Sequence, residues 1–353
     1  MDNRRDFLKK TALAGTALVA GGGLLESCKR GDSVRAGNSV GSSKLIVPKA
    51  AGVPITGTFL DEISHDIPHQ NWGEAEWDRD FAYMKAVGIR DVIVIRCGYR
   101  KFLTYPSPYL LKKGCYMPSV DLVDMFCRLS DKYGMKFWFG LYDSGVRYPD
   151  GAAEDMENNK FVIEEAWEMY GRKYKSFSGW YLSKEFSRRR MGMIDAYHAL
   201  GRQCKDISGG HPTFISPFID GKKQVYKEKE VTVVEHERDW DEIFSGIHDV
   251  VDACAFQDGH VDYDELDMYL TVNKRLADKY GMQSWTNAET FDRDMPIRFL
   301  PIKFDKLRFK LEAAKRCGYD KAITFEFSHF MSPQSAYLQA GHLYDRYCEY
   351  FGI

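Results

Sequence analysis

Residues 119–141, SVDLVDMFCRLSDKYGMKFWFGL, hold one complete unit of the fold. Leu122, Met125, Phe126 and Leu129 recur at helical spacing, which predicts an amphipathic helix. Gly134 ends that pattern, as glycine does at helix C-termini. A strand is predicted next, over Lys136–Asp143. Its centre, FWFGL, is almost continuously apolar, which implies burial on both faces. The same junction of Gly with an apolar strand recurs at GIRDVIVI (88–95), GMQSWTNA (281–288) and GYDKAITF (318–325). The last two follow helical stretches, ELDMYLTVNKRLADKYG and FDKLRFKLEAAKRCG.

Working outward gives eight such pairs. The predicted strands are Ile55–Ile63, Asp91–Tyr99, Lys136–Asp143, Gly179–Glu185, Thr213–Ile219, Asp252–Asp258, Gln283–Glu289 and Ala322–Ser328. Repeated strand–helix alternation implies a parallel sheet. Closing eight units into a ring leaves no edge, so the expected fold is α/β, a single (β/α)8 TIM barrel over residues 55–353. An open doubly wound sheet is the alternative, but no GxGxxG follows the first strand, and no cofactor is expected. Insertions near Lys101–Pro118 and Phe291–Pro301 read as active-site loops.

The N-terminus reads as an address. Arg4 and Arg5 open RRDFLKK, which resembles a bacterial twin-arginine signal. Thr11–Leu25 is apolar, yet too short and too rich in Gly and Ala for a membrane span. Leu25-Glu26-Ser27-Cys28 resembles a lipobox with Glu26 in place of a small residue. Residues 1–28 are thus expected to be an export signal with Cys28 as lipid site, and 29–54, rich in Gly and Ser, a flexible tether. An exported, periplasmic or outer-membrane lipoprotein follows, touching membrane only through its lipid. The other seven cysteines form no CxxC pair and read as free thiols, mostly buried. A formal net charge of -2 points to neither nucleic acid nor an anionic surface as partner.

Barrel chemistry sits at the C-terminal ends of the strands. There the sequence places Asp61, Glu62, Arg96, Tyr99, Tyr142, Asp143, Lys184, Glu185, Gln257, Asp258, Asn287, Glu289, Glu326 and His329. Glu185 and Glu289 end strands four and seven, on opposite sides of the mouth. Breaking a glycosidic bond needs one carboxylic acid to protonate the leaving oxygen and one carboxylate to attack carbon or activate water. Glu326 is a third catalytic candidate. It shares parity with Thr324 and Ser328, which predicts that it faces the barrel interior, bonded to its neighbours or to Arg96. Asp61, Glu62, Trp72, Arg96, Tyr99, Tyr142, Asp258, Asn287 and His329 are the expected substrate contacts. Trp72 and Tyr99 are assigned to the rim, Tyr181 and Trp285 to the core.

The segments GWYLSKE (179–185) and WTNAE (285–289) resemble the strand-four and strand-seven glutamates of retaining (β/α)8 glycoside hydrolases. That resemblance implies Glu185 as acid/base and Glu289 as nucleophile. Lys184 replaces the usual Asn, and a cation there predicts a lowered pKa for its neighbour. Together ITGTFLDE (55–62), WDRDFAYMKAVGI (77–89), VIVI (92–95) and GWYLSKE resemble a bacterial family of glycoside-hydrolase-like barrels, domain of unknown function 4434. This implies a glycosidase acting on an oligo- or polysaccharide and leaves the sugar open.

Two other readings compete. Asp61, Glu62, His65, Asp66 and His69 are metal-ligand types, which would suit a metal-dependent hydrolase or isomerase, though their spacing matches no metal motif and no metal is expected. A glycan-binding lipoprotein on a retired scaffold is the other. The acidic AAEDMENN (152–159) reads as a loop. Arg188–Arg190 read as a solvated helix entrance or as a grip on an anionic sugar.

Overall fold

The structure, a computed structural model, describes residues 50–64, 67–224, 229–293 and 299–353. The expected signal, Cys28, residues 29–49 of the tether, His65 and Asp66 lie outside them. Eight parallel strands close into a ring in sequence order. They are β1 Ile55–Leu60, β2 Asp91–Val94, β3 Lys136–Gly140, β4 Phe177–Tyr181, β5 Thr213–Ile215, β6 Ala253–Gln257, β7 Gln283–Asn287 and β8 Ala322–Thr324. Ile55 pairs with Ala322, which joins last strand to first. Each strand feeds a long helix: α1 Glu74–Ala86, α2 Leu122–Tyr133, α3 Ala152–Ala166, α4 Met193–Ser208, α5 Val233–Ile247, α6 Tyr263–Lys279, α7 Phe304–Arg316 and α8 Leu338–Phe351. The expected (β/α)8 barrel is the observed one.

The helix ends explain why the units read so clearly. Asp121 caps α2, its carboxylate accepting from the Asp124 N–H at 2.9 Å, and Gly134 closes it at φ 63°. Gly88, Gly281 and Gly318, before β2, β7 and β8, also have positive φ, a conformation that costs other residues about 1–2 kcal/mol. AAEDMENN is a correction: it is the first half of α3, not a loop.

The barrel interior is filled by Phe59, Ile93, Trp138, Tyr181, Phe214, Ala255, Trp285 and Ile323, at least one from every strand. Trp138 and Trp285 meet edge to face, 5.7 Å between centroids. Such bulk needs small neighbours: a Cβ on Gly179 would lie 2.3 Å from the Trp138 ring. Much of the aromatic excess therefore belongs to the core. Lys321 closes the N-terminal end over the Trp285 ring at 3.6 Å and pairs with Asp91 at 2.8 Å.

Packing begins before β1. The N–H groups of Ala51 and Gly52 donate to the Tyr350 hydroxyl, and Ile55 N–H to that of Tyr347. Ala51 and Gly52, assigned to the tether, thus bond to α8, and the Val53 N–H donates to the Leu311 carbonyl of α7 at 3.1 Å. The seven described cysteines are all free, four of them buried. No helix among the described residues is long and apolar enough to cross a membrane.

Candidate active site

All eight predicted strands run past the observed ones, and residues at or beyond their C-terminal ends surround a cavity of about 220 Å³ at the barrel mouth. One wall is polar, built from Asp61, Ser64, Arg96, Asp143, Glu185 and Gln257. Glu289, His260 and Arg293 continue it. The other wall is apolar, formed by Ile67, Phe291, Phe299 and Phe325. Of the predicted residues, Asp61, Arg96, Tyr99, Glu185 and Glu289 line the cavity.

Glu185 accepts a hydrogen bond from the Tyr181 hydroxyl at 2.8 Å and faces Arg96 at 3.4 Å. Burial pushes its pKa above the ordinary range, against the opposing pull of Arg96, Tyr181 and Gln257. The lowering expected from Lys184 is absent for a geometric reason. Successive residues of extended chain point opposite ways. Lys184 Nζ turns to Asp143 at 2.7 Å, to Asp155 at 3.3 Å and to the Val146 carbonyl at 2.8 Å. Asp143 also faces Arg96 at 3.5 Å, so Lys184, Asp143, Arg96 and Glu185 form one continuous polar chain.

Glu289 is 1% exposed and held in two-point contact by Arg293, both distances 3.2 Å. Its backbone N–H donates to Asp258 Oδ1 at 3.1 Å, and Lys310 Nζ reaches that same oxygen at 2.7 Å. Gly259 leaves the carboxylate room: a Cβ there would sit 1.7 Å from Glu289 Oε2. His260 also lines the cavity, its pKa lowered to about 4 by burial and then by Arg293. Asp61 spends Oδ1 on the Ile63 and Ser64 N–H groups. Its buried Oδ2 has no hydrogen-bond partner among the described residues.

Glu326 requires a correction. The interior side of β8 belongs to Ile323 and Phe325, so Thr324 and Glu326 face outward, toward the helices. The strand ends at Thr324, and Glu326 caps the short helix Phe327–Phe330, accepting from His329 N–H at 3.0 Å. Its carboxylate also meets His329 Nδ1, and Arg96 pairs with Asp143 and Glu185 instead. His329 Nε2 bonds the Pro68 carbonyl at 2.7 Å, and burial lowers its pKa to about 4. Both brace the β1 loop from behind.

Other expected contacts also lie off the cavity. Glu62 accepts from Gln70 N–H, with its pKa raised to about 7 by burial, an effect Asp61 adds to. Asn287 is buried one layer down, donating to Ser216 Oγ at 3.1 Å. Asp258 sits behind Glu289. The Tyr142 hydroxyl donates to the Arg100 carbonyl at 2.6 Å. Trp72, expected on the rim, packs edge-on to Trp77 at 5.0 Å. Arg188 and Arg189 are engaged by Asp220 and Glu242, so neither stands ready for an anion. His69 is exposed, and no group of three metal-type side chains converges among the described residues.

Sequence reasoning missed Ser64, Gly259, His260, Ile67 and Phe325; the segment Phe291–Pro301, read as an active-site loop, supplies Phe291, Arg293 and Phe299 to the cavity without having been assigned residue by residue. The same reasoning placed Asp143 and Gln257 at strand ends without a role. For Gly259 and His260 the QDGH run (257–260) carried a local signal, a glycine directly after a strand-end carboxylate.

Comparison with known proteins gives the family and the fold. A family model described as domain of unknown function (DUF4434) matches residues 55–337. The crystal structure of a "putative alpha-L-fucosidase" from Bacteroides thetaiotaomicron VPI-5482 is 73% identical, with TM-score 0.85, covering 91% of this chain and 100% of that one. A structure described as a glycoside hydrolase has TM-score 0.52 at 14% identity, covering 86% of this chain and 74% of that chain. The GH2 beta-galacturonidase from Eisenbergiella tayi has TM-score 0.50 at 12% identity, covering 78% and 43%. These two share the fold alone. No curated protein matches. By the extent of the family match, this chain belongs to the DUF4434 family.

Proposed function

We propose that the chain is a retaining exo-glycosidase that removes a terminal 6-deoxyhexose, α-L-fucose first among them. One observation carries this reading. Glu185 and Glu289 line one small cavity in different settings, the first with its pKa raised by burial, the second gripped at two points by Arg293. A cavity of about 220 Å³ suits one sugar ring rather than a long chain. The polar wall offers partners for hydroxyls, the Asp61 Oδ2 acceptor included. The Phe291–Phe299–Phe325 wall suits an exocyclic methyl group. The sugar itself is suggested by the description of the 73%-identical relative.

In the proposed reaction Glu185 gives its proton to the glycosidic oxygen as the C1–O bond breaks, and a Glu289 oxygen bonds to C1. Water then loses a proton to Glu185 and displaces Glu289 from C1, which restores both groups. The test is turnover of aryl α-L-fucosides and a wider glycoside panel, with NMR of the first-formed anomer. Glu185→Gln and Glu289→Gln should each lose about 10²–10⁴-fold in kcat on a natural leaving group. Activity surviving both substitutions refutes the assignment. An inverted first product refutes retention. Sugar binding without turnover favours the retired-scaffold reading.

Export through Arg4 and Arg5 with lipid on Cys28 belongs to the same proposal. Radiolabelled palmitate should mark the wild type in bacterial cells and not Cys28→Ala; equal labelling refutes it.

A further inference from the structure

The insertion after β2 carries a feature the proposed chemistry does not use. Gly98–Tyr99 and Phe102–Leu103 pair as an antiparallel hairpin, Gly98 opposite Leu103 and Tyr99 opposite Phe102. Opposed residues share one face of such a ribbon, and successive pairs alternate faces. The Gly98–Leu103 face is packed inward: Leu103 is buried, and a Cβ on Gly98 would lie 2.8 Å from the Tyr142 ring. The other face carries Tyr99, which lines the cavity, and then Phe102, which is 57% exposed. Tyr116, 55% exposed, meets Phe102 at 5.5 Å between centroids with rings 66° apart. It is fixed there by its own N–H, which donates to the Lys101 carbonyl at 2.8 Å. An aromatic strip thus runs from the cavity wall onto the outer surface.

We propose that Phe102 and Tyr116 form a glycan subsite for the leaving-group side of the substrate. This rests on the glycosidase reading. A sugar held in the cavity must send the rest of its glycan out past the lip, and the strip continues from that lip through Tyr99. Pyranose C–H faces pack on aromatic rings. Hydroxyls need donors beside them, and the hairpin turn supplies two cations at the ring faces. Arg100 lies 5.1 Å from the Tyr99 ring and Lys101 6.0 Å from the Tyr116 ring. An exposed apolar pair with cationic edges, continuous with the cavity, fits an oligosaccharide.

The test compares a fucosyl-lactose trisaccharide with α-L-fucosyl fluoride, whose leaving group is a single atom. Phe102→Ala/Tyr116→Ala should raise KM for the trisaccharide about tenfold and leave kcat/KM for the fluoride within about twofold. Equal losses on both substrates, or no change on either, overturn the subsite. If the wild type cleaves neither, the glycosidase reading fails on its own. Calorimetric titration with the trisaccharide then decides: binding lost in the double variant upholds the subsite, and binding unchanged or absent from the wild type overturns it. Sedimentation provides the last arm. A wild-type dimer that the variant converts to monomer makes the strip a contact between copies and refutes the proposal.

Discussion

Lys310→Met tests how Glu289 is held. Lys310 and Asp258 are 7% and 2% exposed, 2.7 Å apart. Asp258 Oδ1 also accepts from Glu289 N–H, and Lys310 Nζ reaches the Glu289 carbonyl at 3.3 Å. Removing one partner of a buried pair strands the other charge, at about 3–5 kcal/mol, against a total stability of about 5–15 kcal/mol. The loss should depend on pH in a definite direction. Burial already raises the Asp258 pKa while Lys310 holds it down, so the variant raises it further. A carboxyl raised in the folded state favours folding while protonated and loses that contribution as pH rises through its folded pKa. The deficit of Lys310→Met should therefore be small near pH 4 and grow toward pH 8. Urea denaturation at several pH values measures it, read as a shift in midpoint at constant slope. Asp258→Asn/Lys310→Met removes both charges and should recover more than half of the loss at pH 8. A deficit below about 1 kcal/mol, a deficit independent of pH, or a double variant no more stable than the single would refute this account.

Three further outcomes follow from the site. Arg96→Gln removes the cation that pulls the Glu185 pKa down, so the alkaline limb of the kcat/KM profile should move to higher pH; a shift to lower pH contradicts the acid role. Gly259→Ala should displace the Glu289 carboxylate and lower kcat about 10²-fold, and near-wild-type turnover would show that the contact relaxes freely. Glu62, raised from 4.5 to about 7, destabilises the fold as pH climbs through that window. Glu62→Gln should add up to about 3 kcal/mol at pH 8 and nothing near pH 4, checked by thermal melts at both values.

The eight-unit architecture and the paired carboxylates were legible because their signals are local. A helix stripe, a glycine forced to positive φ and an apolar strand all lie within about one turn or strand length of each other. Gly134 and Gly281 behave as their neighbours imply. Glu185 and Glu289 were found because strand ends alone nominate them. The overlong strand predictions have a related cause. Chain that continues extended beyond its last ladder bond has the same composition as the strand it leaves.

What each side chain faces was decided elsewhere. Glu326 reads as one more inward step of β8, yet the chain turns into a helix there and Phe325 takes the inner side. Lys184 adjoins Glu185 in sequence but belongs with Asp143, 41 residues away. Arg96 reaches Glu185 across 89 residues and Lys310 supports Asp258 across 52. Such contacts exist only once the ring has closed, because closure is what brings separate strand ends within hydrogen-bond reach. The sequence by itself determined that there would be a barrel with carboxylates at its mouth. Only the tertiary structure decided which carboxylate Arg293 grips, which has its pKa raised by burial, and which turns away.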